Sequence, residues 1–286
     1  FTYLFAEQGG PIHREEVPYA DGVLPCWRVM PDGASKGTIL FHGGNDSLLE
    51  EFTDALLYLA QGGYTVLAFE GPGQGAALRK SGLTFTPEWE KPVGAVLDHY
   101  GADNVTIIGV SLGGELCMRA AAMEPRIRRV VSWSVLPSIY GALMADKPAE
   151  IRAKLGHWLD ENNRDAILDL YAGLAEREPL FRWSIQHSNY AYGTSDVYEY
   201  LQKARAFTIE PVAERITQDV LLLSAREDLL VDFALYKQEI DLLKNTRSLE
   251  FAAPGRALNG QAHCNMGNTK YMLDLILNWN DRMLER

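Results

Sequence analysis

The sequence predicts an α/β fold, a mostly parallel central sheet with helices on both faces and a helical cap inserted into it. Three observations carry this. Short apolar runs rich in β-branched residues recur along the chain between turn residues, as strands buried on both faces require. Between them, apolar residues fall three and four apart, the period of an amphipathic helix. From residue 137 to about 207 the strand-like runs stop, and Tyr, Trp and His become frequent.

Taken in order, residues 37–41 form the first predicted strand, followed by a helix through Leu49, Phe52, Leu56 and Leu59. Strands at 64–69 and 105–109 come next; the second runs into a glycine turn and a helix over 115–123. A strand at 129–133 precedes the insertion. Beyond it lie strands at 220–224 and 248–252, and a last helix carries Met272, Leu275, Ile276 and Trp279 on one stripe. The predicted division is therefore a core of residues 1–136 and 208–286, with the cap at 137–207. No repeat or low-complexity stretch interrupts this pattern.

With 286 residues, 47% of them hydrophobic, the chain can bury the core of one such domain. Its formal net charge of −11, without a Lys/Arg cluster, argues against nucleic acid or an anionic membrane as partner. A small-molecule substrate is the expected partner, to a monomer or homodimer. Cys26, Cys117 and Cys264 are too few and too scattered for a disulfide framework or a metal-binding pair. No apolar run reaches the roughly 18 residues of a spanning helix. The opening Phe1, Thr2, Tyr3 and Leu4 lack the basic-then-apolar pattern of a leader. A cytoplasmic location is expected.

The clearest chemical signal is Gly109-Val110-Ser111-Leu112-Gly113, joining a buried strand to a helix. A serine on such a turn is presented to substrate, and flanking glycines are needed because side chains there would strike neighbouring backbone. The following helix aims its positive end at the site, leaving the Leu112 N–H free for an oxyanion.

A serine hydroxyl needs a base, and the base a carboxylate. Asp228 follows the strand at 220–224 in an acidic loop and is the expected acid, with Glu227 and Asp232 as competitors. His263 lies after the last strand, before the final helix, where a loop can carry imidazole over the serine. His13, His99 and His157 have no such placement; His187, in the cap, is either a surface residue or a substrate contact.

The run Phe41-His42-Gly43-Gly44-Asn45 ends the first strand in a glycine turn that can supply a second oxyanion donor. Gly44 N–H is the first choice and Asn45 its rival, with His42 buttressing the loop. Phe69-Glu70-Gly71-Pro72-Gly73-Gln74-Gly75 is glycine-rich too, but has no Gly-Lys-Ser/Thr ending, and Pro72 removes a donor that a phosphate nest would use. It reads as a structural turn lining the pocket, with Glu70 either buried and hydrogen-bonded or touching substrate.

Together these motifs resemble the α/β-hydrolase superfamily from about Val23 onward. The Phe-Glu-Gly-Pro-Gly-Gln-Gly run resembles the branch with dihydroxypseudooxynicotine hydrolase, the fungal heptaketide hydrolases, and relatives of the acylaminoacyl-peptidase and dienelactone-hydrolase groups. The resemblance implies acylation of Ser111, with His263 as base and Asp228 holding the ring, and no metal or organic cofactor. It implies a carboxylic-ester or related acyl hydrolase, or else a carbon–carbon bond hydrolase or a small amidase or peptidase. A different class is a non-catalytic binding protein on the same fold. The cap would shape the pocket, with Trp133, Tyr140, Trp158, Trp183, Tyr190 and Tyr192 as candidate substrate contacts or as packing between cap and sheet.

Overall fold

The computed structural model of the protein describes residues 10–286, so the opening residues 1–4 lie outside the described residues. Strands β1 (Ile12–Tyr19) and β2 (Gly22–Val29) form an antiparallel hairpin, and β2 pairs antiparallel with β4 (Thr65–Phe69). From β4 the sheet is parallel, through β3 (Thr38–His42), β5 (Val105–Val110), β6 (Ile127–Trp133), β7 (Asp219–Leu223) and β8 (Ser248–Ala252). Among the described residues these make one 8-stranded sheet, ordered β1-β2-β4-β3-β5-β6-β7-β8.

The sequence did not foretell the hairpin. Only Ile12 and Val17 of β1 are buried, while Arg14, Glu16 and Pro18 face outward, as befits an edge strand that must not recruit another sheet. Such a strand lacks the apolar run by which the buried ones are recognised.

Helices α1 (Thr53–Gln61) and α11 (Thr269–Leu284) cover one face. Helices α2 (Gly75–Ser81), α3 (Glu90–Tyr100), α4 (Gly113–Met123) and α10 (Leu235–Leu242) cover the other. Alternation along the strands divides the core accordingly. Leu40 and Ile107 join the α3–α4 cluster, while Phe41 and Ile108 join the cluster with α1 and α11. Each such aliphatic side chain contributes about 1.5–3 kcal/mol by leaving water.

Strand order reverses between β3 and β5: β4 and β2 lie to one side, β6 to β8 to the other. The carboxyl ends of β3 and β5 therefore send their loops apart, opening the crevice where ligands bind in open α/β sheets.

Five of the described helices, α5 (Ile139–Ala145), α6 (Ala149–Asp160), α7 (Arg164–Arg177), α8 (Pro179–Tyr192) and α9 (Val197–Ala204), stand between β6 and β7. Ser138, Asn163 and Asp196 start three of them by accepting the N–H three residues on. In α9, Val197, Tyr200, Leu201 and Ala204 form the buried stripe. The neck is closed by an antiparallel bridge in which Ile139 N–H donates to Phe207 O and Ile209 N–H to Pro137 O, both over 3.0 Å. No described helix is long and apolar enough to cross a membrane.

Candidate active site

Ser111 sits between β5 and α4 with φ of 60°, a left-handed conformation that costs a non-glycine residue about 1–2 kcal/mol. Neighbouring backbone holds it there: Ser111 N–H donates to Trp133 O over 3.0 Å, and Gly114 N–H to Ser111 O over 2.8 Å. A Cβ on Gly109 would overlap the Gly113 carbonyl, and one on Gly44 would come within 2.8 Å of Ser111 Cβ. The glycines thus let strand, helix and oxyanion loop close on the serine.

The structure brings Asp228 and His263 to this point from the loops after β7 and β8. His263 Nε2 lies 2.9 Å from Ser111 Oγ, and His263 Nδ1 lies 2.7 Å from Asp228 Oδ2. With the carboxylate accepting from Nδ1–H, Nε2 is left to accept the serine proton. Asp228 Oδ1 accepts from Leu230 N–H and Val231 N–H over 2.8 and 3.0 Å. Burial acts to raise the Asp228 pKa, but the His263 ring and those two amides outweigh it and hold the group below its ordinary value. Burial likewise opposes protonation of His263; the Asp228 carboxylate, helped by Cys264, prevails and makes the ring more basic than a free imidazole. The competing acids are engaged elsewhere. Glu227 is paired with Arg256 over 2.6 Å, and Asp232 accepts from Ala234 N–H over 2.9 Å.

The glycine loop after β3 is hydrogen-bonded within itself. Gly44 N–H donates to Ser47 Oγ over 2.9 Å, so it is already committed. Gln74 holds the loop from the other side: its Nε2 donates to Gly43 O and Gly44 O over 2.8 and 2.9 Å, and its Oε1 accepts from Gly71 N–H over 2.9 Å. In a trans peptide the N–H points opposite to the C=O. Holding the Gly44 carbonyl therefore turns the Asn45 N–H away from Gln74. Among the described residues neither Asn45 N–H nor Leu112 N–H has a hydrogen-bond acceptor.

His42 is fully buried beneath this loop, with Nδ1 donating to Gly43 O over 3.1 Å and Nε2 accepting from Trp89 Nε1–H over 3.3 Å. Burial pushes its pKa down to about 4, against the pull of the Gly43 carbonyl, so the ring is neutral at ordinary pH. From α8, His187 Nε2 donates to Asn45 O over 3.1 Å, and Trp183 stacks on the His187 ring at 5.3 Å.

Several candidate substrate contacts make contacts within the fold. Glu70 is buried, its two carboxylate oxygens accepting from Leu49 N–H over 3.3 Å and Ala76 N–H over 2.6 Å. Trp133 packs in the core toward α11 and donates Nε1–H to Asn265 Oδ1 over 3.2 Å. Tyr192 is fully buried against Phe85 and Phe207, 4.8 and 5.1 Å between rings, fastening α8 to the residues around it. Tyr140 is half-buried under the Arg205 guanidinium, and Trp158 lies under the Lys154 ammonium. Trp183 and Tyr190, on α8, are 50% and 53% exposed. Gln74 is the residue that sequence reasoning passed over. Its only signal is a buried-capable amide in a turn otherwise made of glycine and proline.

A family model described as alpha/beta hydrolase fold matches residues 39–259. The chain is 31% identical over 217 residues to the alpha/beta hydrolase psoB of Aspergillus fumigatus, covering 68% of this chain and 48% of that protein. It is 28% identical over 288 residues to the hydrolase ORFZ of Pyricularia oryzae, covering 90% and 65%. The chain therefore spans only part of the length of these relatives. Among solved structures, 2,6-dihydroxy-pseudo-oxynicotine hydrolase superposes with TM-score 0.70 at 18% identity, covering 96% of this chain and 68% of that one. An esterase of Pyrococcus furiosus gives 0.58 at 17% identity, covering 96% and 93%. At those identities the two structures speak to the fold alone.

Proposed function

This chain belongs to the α/β-hydrolase family, and from that premise we propose that it is a serine hydrolase cleaving a carboxylic ester or related acyl substrate through an acyl-enzyme. The observation that carries the reading is His263 bridging Ser111 Oγ and Asp228 Oδ2 at 2.9 and 2.7 Å.

In this reading Ser111 Oγ attacks the acyl carbon while its proton passes to His263 Nε2. Asp228 keeps the ring in the required tautomer and balances the imidazolium. The negative oxygen of the tetrahedral intermediate is met by Leu112 N–H, at the positive end of α4, and by Asn45 N–H. Collapse breaks the bond to the leaving group, which takes the proton from His263. Water then attacks the acyl-enzyme with His263 again as base, releasing the acid and restoring Ser111. The substrate is a small molecule, and Trp183, one ring removed from the oxyanion loop through His187, gives the cap side of the site an apolar surface.

The test is turnover by purified protein of short acyl esters, aryl ketones and peptide anilides, each also measured with Ser111→Ala. Ester turnover that vanishes in Ser111→Ala is the expected result. Turnover of ketones or anilides in place of esters moves the assignment to another bond, and ester turnover that survives the substitution removes it.

A further inference from the structure

We propose that Asn265 is a positioning residue whose side-chain amide joins the three strand ends carrying the triad into one rigid unit; this rests on the reading of Ser111, His263 and Asp228 as that triad. The three side chains arrive on loops from β5, β7 and β8, yet a displacement of about 1 Å between reacting groups can cost about 100-fold in rate. Something must hold the loops in register.

Asn265, two residues past His263, is 0% exposed. Its Nδ2 donates to Ser224 O over 3.0 Å, at the end of β7 where the Asp228 loop begins. The same nitrogen donates to Gly260 O over 2.6 Å, on the approach to His263. Its Oδ1 accepts from Trp133 Nε1–H over 3.2 Å, at the end of β6. Trp133 O in turn accepts the Ser111 N–H over 3.0 Å. One tryptophan therefore grips the nucleophile through its backbone and Asn265 through its indole.

The backbone is arranged to make this possible. Cys264 and Asn265 are both left-handed, with φ of 50° and 55°, and Asn265 N–H closes the turn on Ala262 O over 2.8 Å. Asparagine is among the few side chains that tolerate this conformation, and its short amide offers two donors and an acceptor in one plane. Asp lacks the donors and Leu has neither function. A fully satisfied buried amide also disfavours alternative loop arrangements, because each would leave polar groups unpaired.

Two substitutions test the proposal. Asn265→Gly keeps the left-handed backbone and removes the amide; Trp133→Phe keeps most of the core volume and removes only the indole N–H. Both are measured for kcat, KM and the rate of Ser111 labelling by a fluorophosphonate, alongside thermal unfolding. The expected result is kcat lower by roughly 100-fold for Asn265→Gly and roughly 10-fold for Trp133→Phe, with KM changed by less than about threefold and labelling slowed in parallel. The double variant should be no slower than Asn265→Gly alone, since the second change removes a bond already lost. If Asn265→Gly does not fold, Trp133→Phe decides. Folded variants with parental kcat, or losses that add in the double variant, overturn the proposal. Ser111→Ala separates the two claims: if it is inactive while Asn265→Gly and Trp133→Phe are unimpaired, only the role of Asn265 falls, and if it stays active the triad itself falls.

Discussion

Gln74 Nε2 donates to the carbonyl oxygen of Gly44 over 2.9 Å and so fixes the plane of the peptide that presents Asn45 N–H. The glycine-rich run after β4, which reads as a structural turn in the sequence, thereby braces the glycine loop after β3. Its glycines let the chain fold tightly enough to put a glutamine, buried to within 3% of its surface, under that loop.

Gln74→Ala is expected to lower kcat on an acyl ester by about 10–100-fold with little change in KM, since loss of an oxyanion donor costs about 10²–10³ and here the donor is misaimed rather than deleted. Steady-state kinetics check this; a change confined to KM would place Gln74 in ground-state binding.

The acid assignment gives a sharp contrast among three neighbours. Asp228→Asn is expected to lower kcat by about 10⁴-fold, as loss of the carboxylate leaves the histidine in the wrong tautomer. Glu227→Gln and Asp232→Asn, whose carboxylates hold Arg256 and the Ala234 amide, should change it by less than about threefold.

The contact between His187 Nε2 and Asn45 O links α8 to the glycine loop after β3. His187→Ala should reduce kcat by roughly 2–10-fold, the worth of one hydrogen bond, and His187→Gln, which can still donate, should recover most of it. Equal loss in both variants would show that the ring itself, stacked on Trp183, is what matters.

In the first turn of α4, Glu115 is buried with both carboxyl oxygens lacking a hydrogen-bond partner among the described residues. Burial pushes its pKa up to about 8, opposed by Arg119 and reinforced by Glu239. Glu239 is also raised to about 8 by burial, against the Leu136 N–H. Each binds its proton more tightly folded than unfolded. Their contribution to stability is therefore complete below the ordinary glutamate value and is lost as pH rises through about 8. Stability of the parent to thermal unfolding should fall from about pH 4.5 to about 8, and Glu115→Gln should flatten that fall, with a gain of about 1–3 kcal/mol at the alkaline end. An unchanged slope in Glu115→Gln would contradict this.

The parallel strands were legible because each is buried on both faces and carries an uninterrupted apolar run, as in Val105–Val110. The hairpin was not, because an edge strand such as Ile12–Tyr19 is held by backbone pairing and shows charge outward. In the site, chain order and loop position pointed to Ser111, Asp228 and His263, which the structure brings within hydrogen-bond reach. That Gly44 N–H is taken by Ser47 was not legible, since it depends on where Ser47 and Gln74 aim. Nor could aromatic frequency separate the exposed Trp183 from the buried Trp133 and Tyr192, because rings that pack a core and rings that line a pocket have the same composition.

The central claim is that His263 draws the proton from Ser111. Incubation of the protein with a fluorophosphonate, followed by mass spectrometry of its peptides, tests this most directly. One adduct is expected, on Ser111, formed at least about 10³-fold more slowly in His263→Ala and absent from Ser111→Ala. An adduct on another residue, or labelling of Ser111 at an unchanged rate in His263→Ala, would contradict it.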